Sequence, residues 1–191
     1  MHIEHDTTRT TVLTVTGSLR GGSLNRVLLD AATDLLGPHA RVRRWDGLRD
    51  VPPFDEDAES GPVPPAVAEL RAELAAADAL LVATPEYNGS VPGQLKNAID
   101  WASRPYGAST LVSVRAAVIG ASPSPGGAAR AQHELRHVLR VAGAEVSDLA
   151  LPVPSAFGQF DERGQLLDPG IRAQLADVLE DLVGVRVDRA A

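Results

Sequence analysis

Two stretches of this 191-residue chain combine side chains that can do chemistry at close spacing. The first is Gly17-Ser18-Leu19-Arg20-Gly21-Gly22-Ser23-Leu24-Asn25. Its small residues let backbone N–H groups approach an anion, the Ser18 and Ser23 hydroxyls can donate, and Arg20 adds positive charge. A helix starting behind such a loop contributes its positive end, so the stretch suits a phosphate monoester. No Gly-Lys-Ser/Thr follows, which argues against a Walker A loop and nucleoside triphosphate hydrolysis. No G-x-G-x-x-G is present either, so a tightly held dinucleotide is not the first choice. The same residues also read as a plain Gly/Ser turn with Ser23 capping a helix.

The second stretch runs from Thr84 through Pro85-Glu86-Tyr87-Asn88-Gly89-Ser90-Val91-Pro92-Gly93 to Trp101. An aromatic and an amide sit here in a tight turn punctuated by Gly and Pro. Such a turn can lay Tyr87 and backbone amides along the edge of a flat heterocycle. The plainer alternative is a strand-to-helix turn whose Asn88-Gly89 pair is chosen for its backbone angles.

A third motif, His133-Glu134-Leu135-Arg136-His137, matches the H-E-x-x-H of zinc proteases. Helical phase argues against that chemistry. At ~100° per residue, Ala128, Ala131, Leu135, Val138 and Ala142 share one face, and both histidines fall on the opposite, solvated one beside Arg136 and Arg140. Paired carboxylates such as Glu56/Asp57 and Glu180/Asp181 read as solvated surface. No serine sits in a G-x-S-x-G elbow.

Composition narrows the choices further. The chain has no cysteine, which excludes disulfides, thiolate catalysis, Fe–S clusters and Cys-based zinc sites. A formal net charge of -7 argues against a nucleic-acid partner, which needs a basic surface. No stretch approaches the ~20 apolar residues of a membrane span. Residues 1–10 are polar and are expected to form a flexible tail before a single domain over 11–191, and the protein is expected in the cytoplasm.

The elements that must position the two loops follow from hydrophobic patterning. Thr11–Thr16 and Ala79–Thr84 carry no charge on either face and read as strands buried on both sides. Val42–Trp45, flanked by arginines, reads as a strand nearer the sheet edge, and Ala116–Ala121 and Glu145–Leu151 complete five strands. Helices are predicted from Leu24 to the stop at Gly37-Pro38, over Ala66–Ala77, from Pro92-Gly93 to the stop at Pro105, over Ala128–Ala142 and over Ile171–Val183. Between them lies a long loop, 46–65, rich in Pro, Asp and Glu. Alternating strands and helices imply right-handed βαβ units and a parallel sheet of order 2-1-3-4-5 with helices on both faces. A ligand then belongs at the carboxyl ends of the strands, in the loops after Thr16, Thr84 and Ala121.

Taken together, the two stretches resemble a known family: the NAD(P)H-dependent FMN reductases and quinone reductases of the flavodoxin-like fold. The chain matches the family's G-S-x-R-x-x-S-x-N loop and its P-E-Y-N-x-S-x-P-G-x-L-K-N-x-x-D-W segment. The resemblance extends to Val51-Pro52-Pro53-Phe54-Asp55, to Gly126-Gly127-Ala128-Ala129-Arg130 and to the turn at Phe160-Asp161 to Gly164.

The resemblance implies a flavodoxin-like three-layer fold, FMN as cofactor, and NADPH or NADH as co-substrate. By the same resemblance, Ser18, Arg20, Ser23, Leu24 and Asn25 look like FMN phosphate and ribityl contacts. Pro85, Glu86, Tyr87, Asn88 and Gly89 look like the wall beside the isoalloxazine, mainly through backbone groups. Ser122 looks like a third contact, although Ser122-Pro123-Ser124-Pro125 carries two prolines that depart from the family pattern. No side chain is required as acid or base, and Tyr87 and Asn88 are the candidates for a positioning role. The implied reaction is hydride transfer through FMN to quinones, flavin or similar small acceptors. A homodimer or homotetramer is implied, with the helix ending at Trp101 at or near the interface. Two other readings stand beside this one: a flavodoxin-like electron carrier, and a reductase that releases reduced FMN to a partner monooxygenase.

Overall fold

A computed structural model describes residues 9–187. Five strands, β1 (Thr10–Thr16), β2 (Ala40–Trp45), β3 (Ala79–Ala83), β4 (Arg115–Ala121) and β5 (Glu145–Val153), form one sheet of order β2-β1-β3-β4-β5. Every neighbouring pair is parallel. Five helices, α1 (Leu24–Leu36), α2 (Pro65–Ala75), α3 (Gly93–Ala102), α4 (Ala129–Val141) and α5 (Pro169–Val183), return the chain between strands and close it. This is the expected three-layer fold with the expected strand order.

The uncharged strands have two buried faces because side chains alternate between two cores. Leu13 and Val15 of β1 and Leu80 and Val82 of β3 pack with α2, α3 and α4. Val12 of β1 and Leu81 and Ala83 of β3 pack with α1 and α5. The arginines of β2 mark the sheet edge as expected: Arg43 pairs with Glu73 of α2 and Arg44 with Asp30 of α1.

Several boundaries differ from the sequence expectation, each for a local reason. Of the segment 1–10 expected as a tail, residues 1–8 lie outside the described residues, and Thr10 already pairs with Ala40 in β1. β5 runs on to Val153 because Ala121 of β4 offers it a partner there. α5 starts at Pro169, since the Asp168 carboxylate accepts from Gly170 N at 2.7 Å and Ile171 N at 3.0 Å, and proline suits the first helical position. The long loop contains two short 3-10 turns, Gly47–Asp50 and Asp57–Ser60. In α4 the buried face includes Gln132 and Leu139 as well as Ala131 and Leu135, and Val138 and Ala142 are only partly covered. Gln132 is accommodated because its amide donates to Gly127 O and accepts from Leu151 N, both at 3.1 Å.

Candidate cofactor and substrate cleft

The loops after β1 and β3 are joined directly. Gly17 N–H donates to Ala83 O at 2.8 Å, carrying the sheet ladder one residue past β1. A Cβ on Gly17 would lie 2.7 Å from Leu95 Cδ2 and 3.3 Å from Pro85 Cδ, so only glycine permits this approach. As a result Arg20 and Tyr87 line one cleft of about 420 Å³, together with Leu19, Arg49, Pro92, Gly93 and Gln94.

In the first loop Ser18 and Ser23 are buried, and each hydroxyl accepts a backbone N–H: Ser18 Oγ from Arg20 at 3.4 Å, and Ser23 Oγ from Asn25 at 3.3 Å. Ser23 is thus the N-cap of α1. Each hydroxyl keeps its own proton to donate. Gly21 and Gly22 are exposed, a Cβ on either would meet nothing within 4 Å, and neither N–H bonds to another described residue. Open N–H groups, two serine hydroxyls and a helix start fit a phosphate group. Leu24 turns its side chain to the core beside α1, which leaves its backbone to the loop.

Asn25, expected among the FMN contacts, also serves the fold. Its side chain is buried, Nδ2 donates to Ala121 O and Oδ1 accepts from Ala121 N, each at 2.9 Å. The amide ties the start of α1 to the end of β4 and so positions the loop from behind.

In the second loop, Tyr87 and Ser90 exchange both backbone hydrogen bonds at 3.1 Å, and Asn88 and Gly89 between them have φ of 52° and 79°. Two successive positive φ angles define a tight hairpin turn of the type that Asn-Gly favours. The plain backbone reading of Asn88-Gly89 therefore holds, and the turn leaves Tyr87 at 48% exposure. Pro85 is buried against Gly17. The Glu86 carboxylate is committed elsewhere: Oε2 accepts from Arg130 N at 3.0 Å and Ala131 N at 3.4 Å. It caps α4 from the loop after β3, where Ala128 at the N-cap position has no side chain to do so.

The third loop begins at Ser122, next to the same strand ends. Its N–H donates to Val153 O at 3.1 Å and its C=O accepts from Ala156 N at 3.0 Å. Its hydroxyl lies 3.0 Å from that of Ser124. Ser122 therefore has only that hydroxyl to offer a ligand.

Two features lie outside the expected site residues. Arg49 lines the cleft and donates through Nη2 to Leu19 O at 2.8 Å. Gln94, Asn97 and Trp101, at helical spacing on α3, hold the long loop in place. Gln94 Nε2 donates to Leu48 O and Val51 O at 2.9 and 2.8 Å. Asn97 accepts from Phe54 N at 2.7 Å and donates to Pro52 O at 2.8 Å. The Trp101 indole N–H also donates to Pro52 O, at 2.9 Å, and the ring meets Phe54 edge-on. The 94/97/101 spacing of polar-capable side chains was the available signal. Trp101 itself is buried within the chain.

His133 and His137 are exposed on α4, as their phase implied. Glu134 between them accepts from Ser90 Oγ at 2.7 Å and Val91 N at 3.1 Å, bracing the Tyr87 turn.

A parallel doubly wound sheet whose first and third βα loops meet over the strand ends defines a nucleotide-binding protein of the flavodoxin-like class. The sequence model of the NADPH-dependent FMN reductase family matches residues 10–158, and the chain belongs to that family, whose members are FMN-dependent oxidoreductases using NAD(P)H. It is 42% identical over 174 residues to an NAD(P)H-dependent FMN reductase of Pseudomonas aeruginosa, covering 90% of this chain and 92% of that one. It is 38% identical over 160 residues to a quinone reductase of Pseudomonas putida, covering 82% and 84%. Among solved structures it matches the flavoenzyme NAD(P)H:(acceptor) oxidoreductase FerB of Paracoccus denitrificans with a TM-score of 0.77 and 32% identity, covering 91% of this chain and 99% of that one.

Proposed function

We propose that this chain is an NAD(P)H-dependent oxidoreductase that holds FMN across the strand ends and reduces quinones, flavin or similar small acceptors. The observation that carries the reading is the Gly17–Ala83 contact, which brings Arg20 and Tyr87 to one cleft. The family membership and the quinone and FMN reductases among its relatives support it from a separate direction.

In this reading Ser18, Ser23, Arg20 and the open N–H groups of Gly21 and Gly22 hold the FMN phosphate. The backbone of Pro85 to Gly89 forms the wall beside the ring, with Tyr87 bordering the place where nicotinamide and acceptor bind in turn. The Ser122 hydroxyl faces the ring from the third loop. FMN, when bound, supplies hydride acceptance and donation, which is why no side chain needs to act as acid or base. Asn25 and Glu86 position the loops, Asn25 through β4 and Glu86 through α4.

A homodimer or homotetramer belongs to the same proposal. A groove of about 570 Å³ runs between the end of α3, the following loop and α4, lined in part by Ile99, Tyr106, Val112 and Val141. Tyr106 is 92% and Val141 74% exposed, a large apolar surface for one chain. A cytoplasmic location, where reduced nicotinamide nucleotides are maintained, completes the proposal. Among the described residues no helix is long and apolar enough to cross a membrane.

The test is direct. Protein incubated with FMN and desalted should retain the flavin absorption bands, and NADPH or NADH with menadione should be consumed catalytically. Protein that retains no flavin, or flavin-loaded protein that oxidises neither nucleotide, overturns the reading; the second result is that of an electron carrier.

A further inference from the structure

Arg49 stands on the turn Gly47–Asp50 between Leu48 and Val51, both 3% exposed. The carbonyls of those two neighbours are gripped by the Gln94 amide of α3. The backbone on either side of Arg49 is therefore fixed from below while its side chain remains exposed in the cleft. Its guanidinium reaches Leu19 O, one residue before Arg20 in the phosphate loop. That contact occupies one N–H of five. Among the described residues no carboxylate pairs with Arg49, and nearby Asp46 is engaged by Arg26 at 2.8 Å.

Two arginines from different loops, lining one cleft that no carboxylate residue lines, are an arrangement that a dianion relieves. Guanidinium forks match phosphate oxygens in geometry as well as charge. Resting on the function proposed above, we propose that Arg49 is a phosphate-binding residue. It takes a nucleotide phosphate monoester beside Arg20: either the 5′-phosphate of FMN, shared with Arg20, or the 2′-phosphate of NADPH, bound next to it. A loop tether alone would need only the Leu19 contact and would not require the half-buried Gln94 amide to present the side chain.

The experiment compares wild type with Arg49→Gln in four measurements: affinity for FMN and for riboflavin by fluorescence quenching, and KM for NADPH and for NADH. Loss of a charge-assisted phosphate contact should lower one preference by about tenfold or more. A fall in the FMN-over-riboflavin ratio assigns Arg49 to the flavin phosphate. A fall in the NADPH-over-NADH ratio assigns it to the nicotinamide nucleotide. If both flavins weaken together, or if neither ratio moves, Arg49 is a tether only and the proposal is overturned. Wild-type protein that binds neither flavin would defeat the proposed function itself, whereas flavin binding with unchanged ratios defeats only the role of Arg49.

Discussion

The side-chain amide of Asn25 bonds both the N–H and the C=O of Ala121, so the first turn of α1 is locked to the last residue of β4. Removing that amide leaves two buried backbone groups without partners. Asn25→Ala should lower the stability to urea unfolding by about 2–4 kcal/mol. Flavin affinity should fall as a consequence of loop displacement, with FMN and riboflavin affected alike. An unchanged urea midpoint would remove Asn25 from its positioning role.

Arg20 makes the opposite prediction. The residue is exposed and bonds through its backbone to Ser18 Oγ, so its truncation should leave unfolding midpoints nearly unchanged. FMN affinity of Arg20→Ala should weaken by about 1.5–3 kcal/mol, while riboflavin affinity stays constant. Equilibrium flavin titration reads both, and equal losses for the two flavins would refute the phosphate contact.

Glu86 caps α4 from the neighbouring loop. Glu86→Ala should destabilise the fold by about 1 kcal/mol, as loss of a helix cap does, and Glu86→Gln by less, since an amide oxygen can still accept. Chemical unfolding of the two variants decides the point; equal losses would mean that charge, not capping, is at work.

Gly17 can be tested through its contact with Leu95. Gly17→Ala should cost about 1–3 kcal/mol because its Cβ has no room. In a Leu95→Ala background the same substitution should cost distinctly less, and a double-mutant cycle on unfolding free energies measures the coupling. Additive effects would show that the two loops do not meet as tightly as described.

The strands and their order were readable because β1, β3 and, from Ala116, β4 are short uncharged runs and α1 carries a clear 3.6-residue period. The cap of α1 was readable as well, since a serine directly before an apolar-periodic run is a helix-start signal, and Ser23 fills that place. The bonds that Asn25 and Glu86 make within the fold have no sequence signal. Their partners, Ala121 and the start of α4, lie far along the chain, and only the folded sheet brings them close. Arg49 was hidden for a similar reason: it sits in an irregular Pro- and Asp-rich loop with no periodicity, and its exposure depends on Gln94 reaching back from α3. Gln132 broke the helical apolar pattern, and its partners at Gly127 and Leu151 are what make its burial possible.

The three α3 side chains that grip Leu48, Val51, Pro52 and Phe54 have a further consequence for how the molecule meets a protease. A protease must draw several residues of backbone into an extended form, and here those residues already have their carbonyls and an N–H engaged. Trypsin should therefore cut after Arg49 only when the staple releases, which makes the rate of that single nick a reporter of how often the floor of the cleft opens.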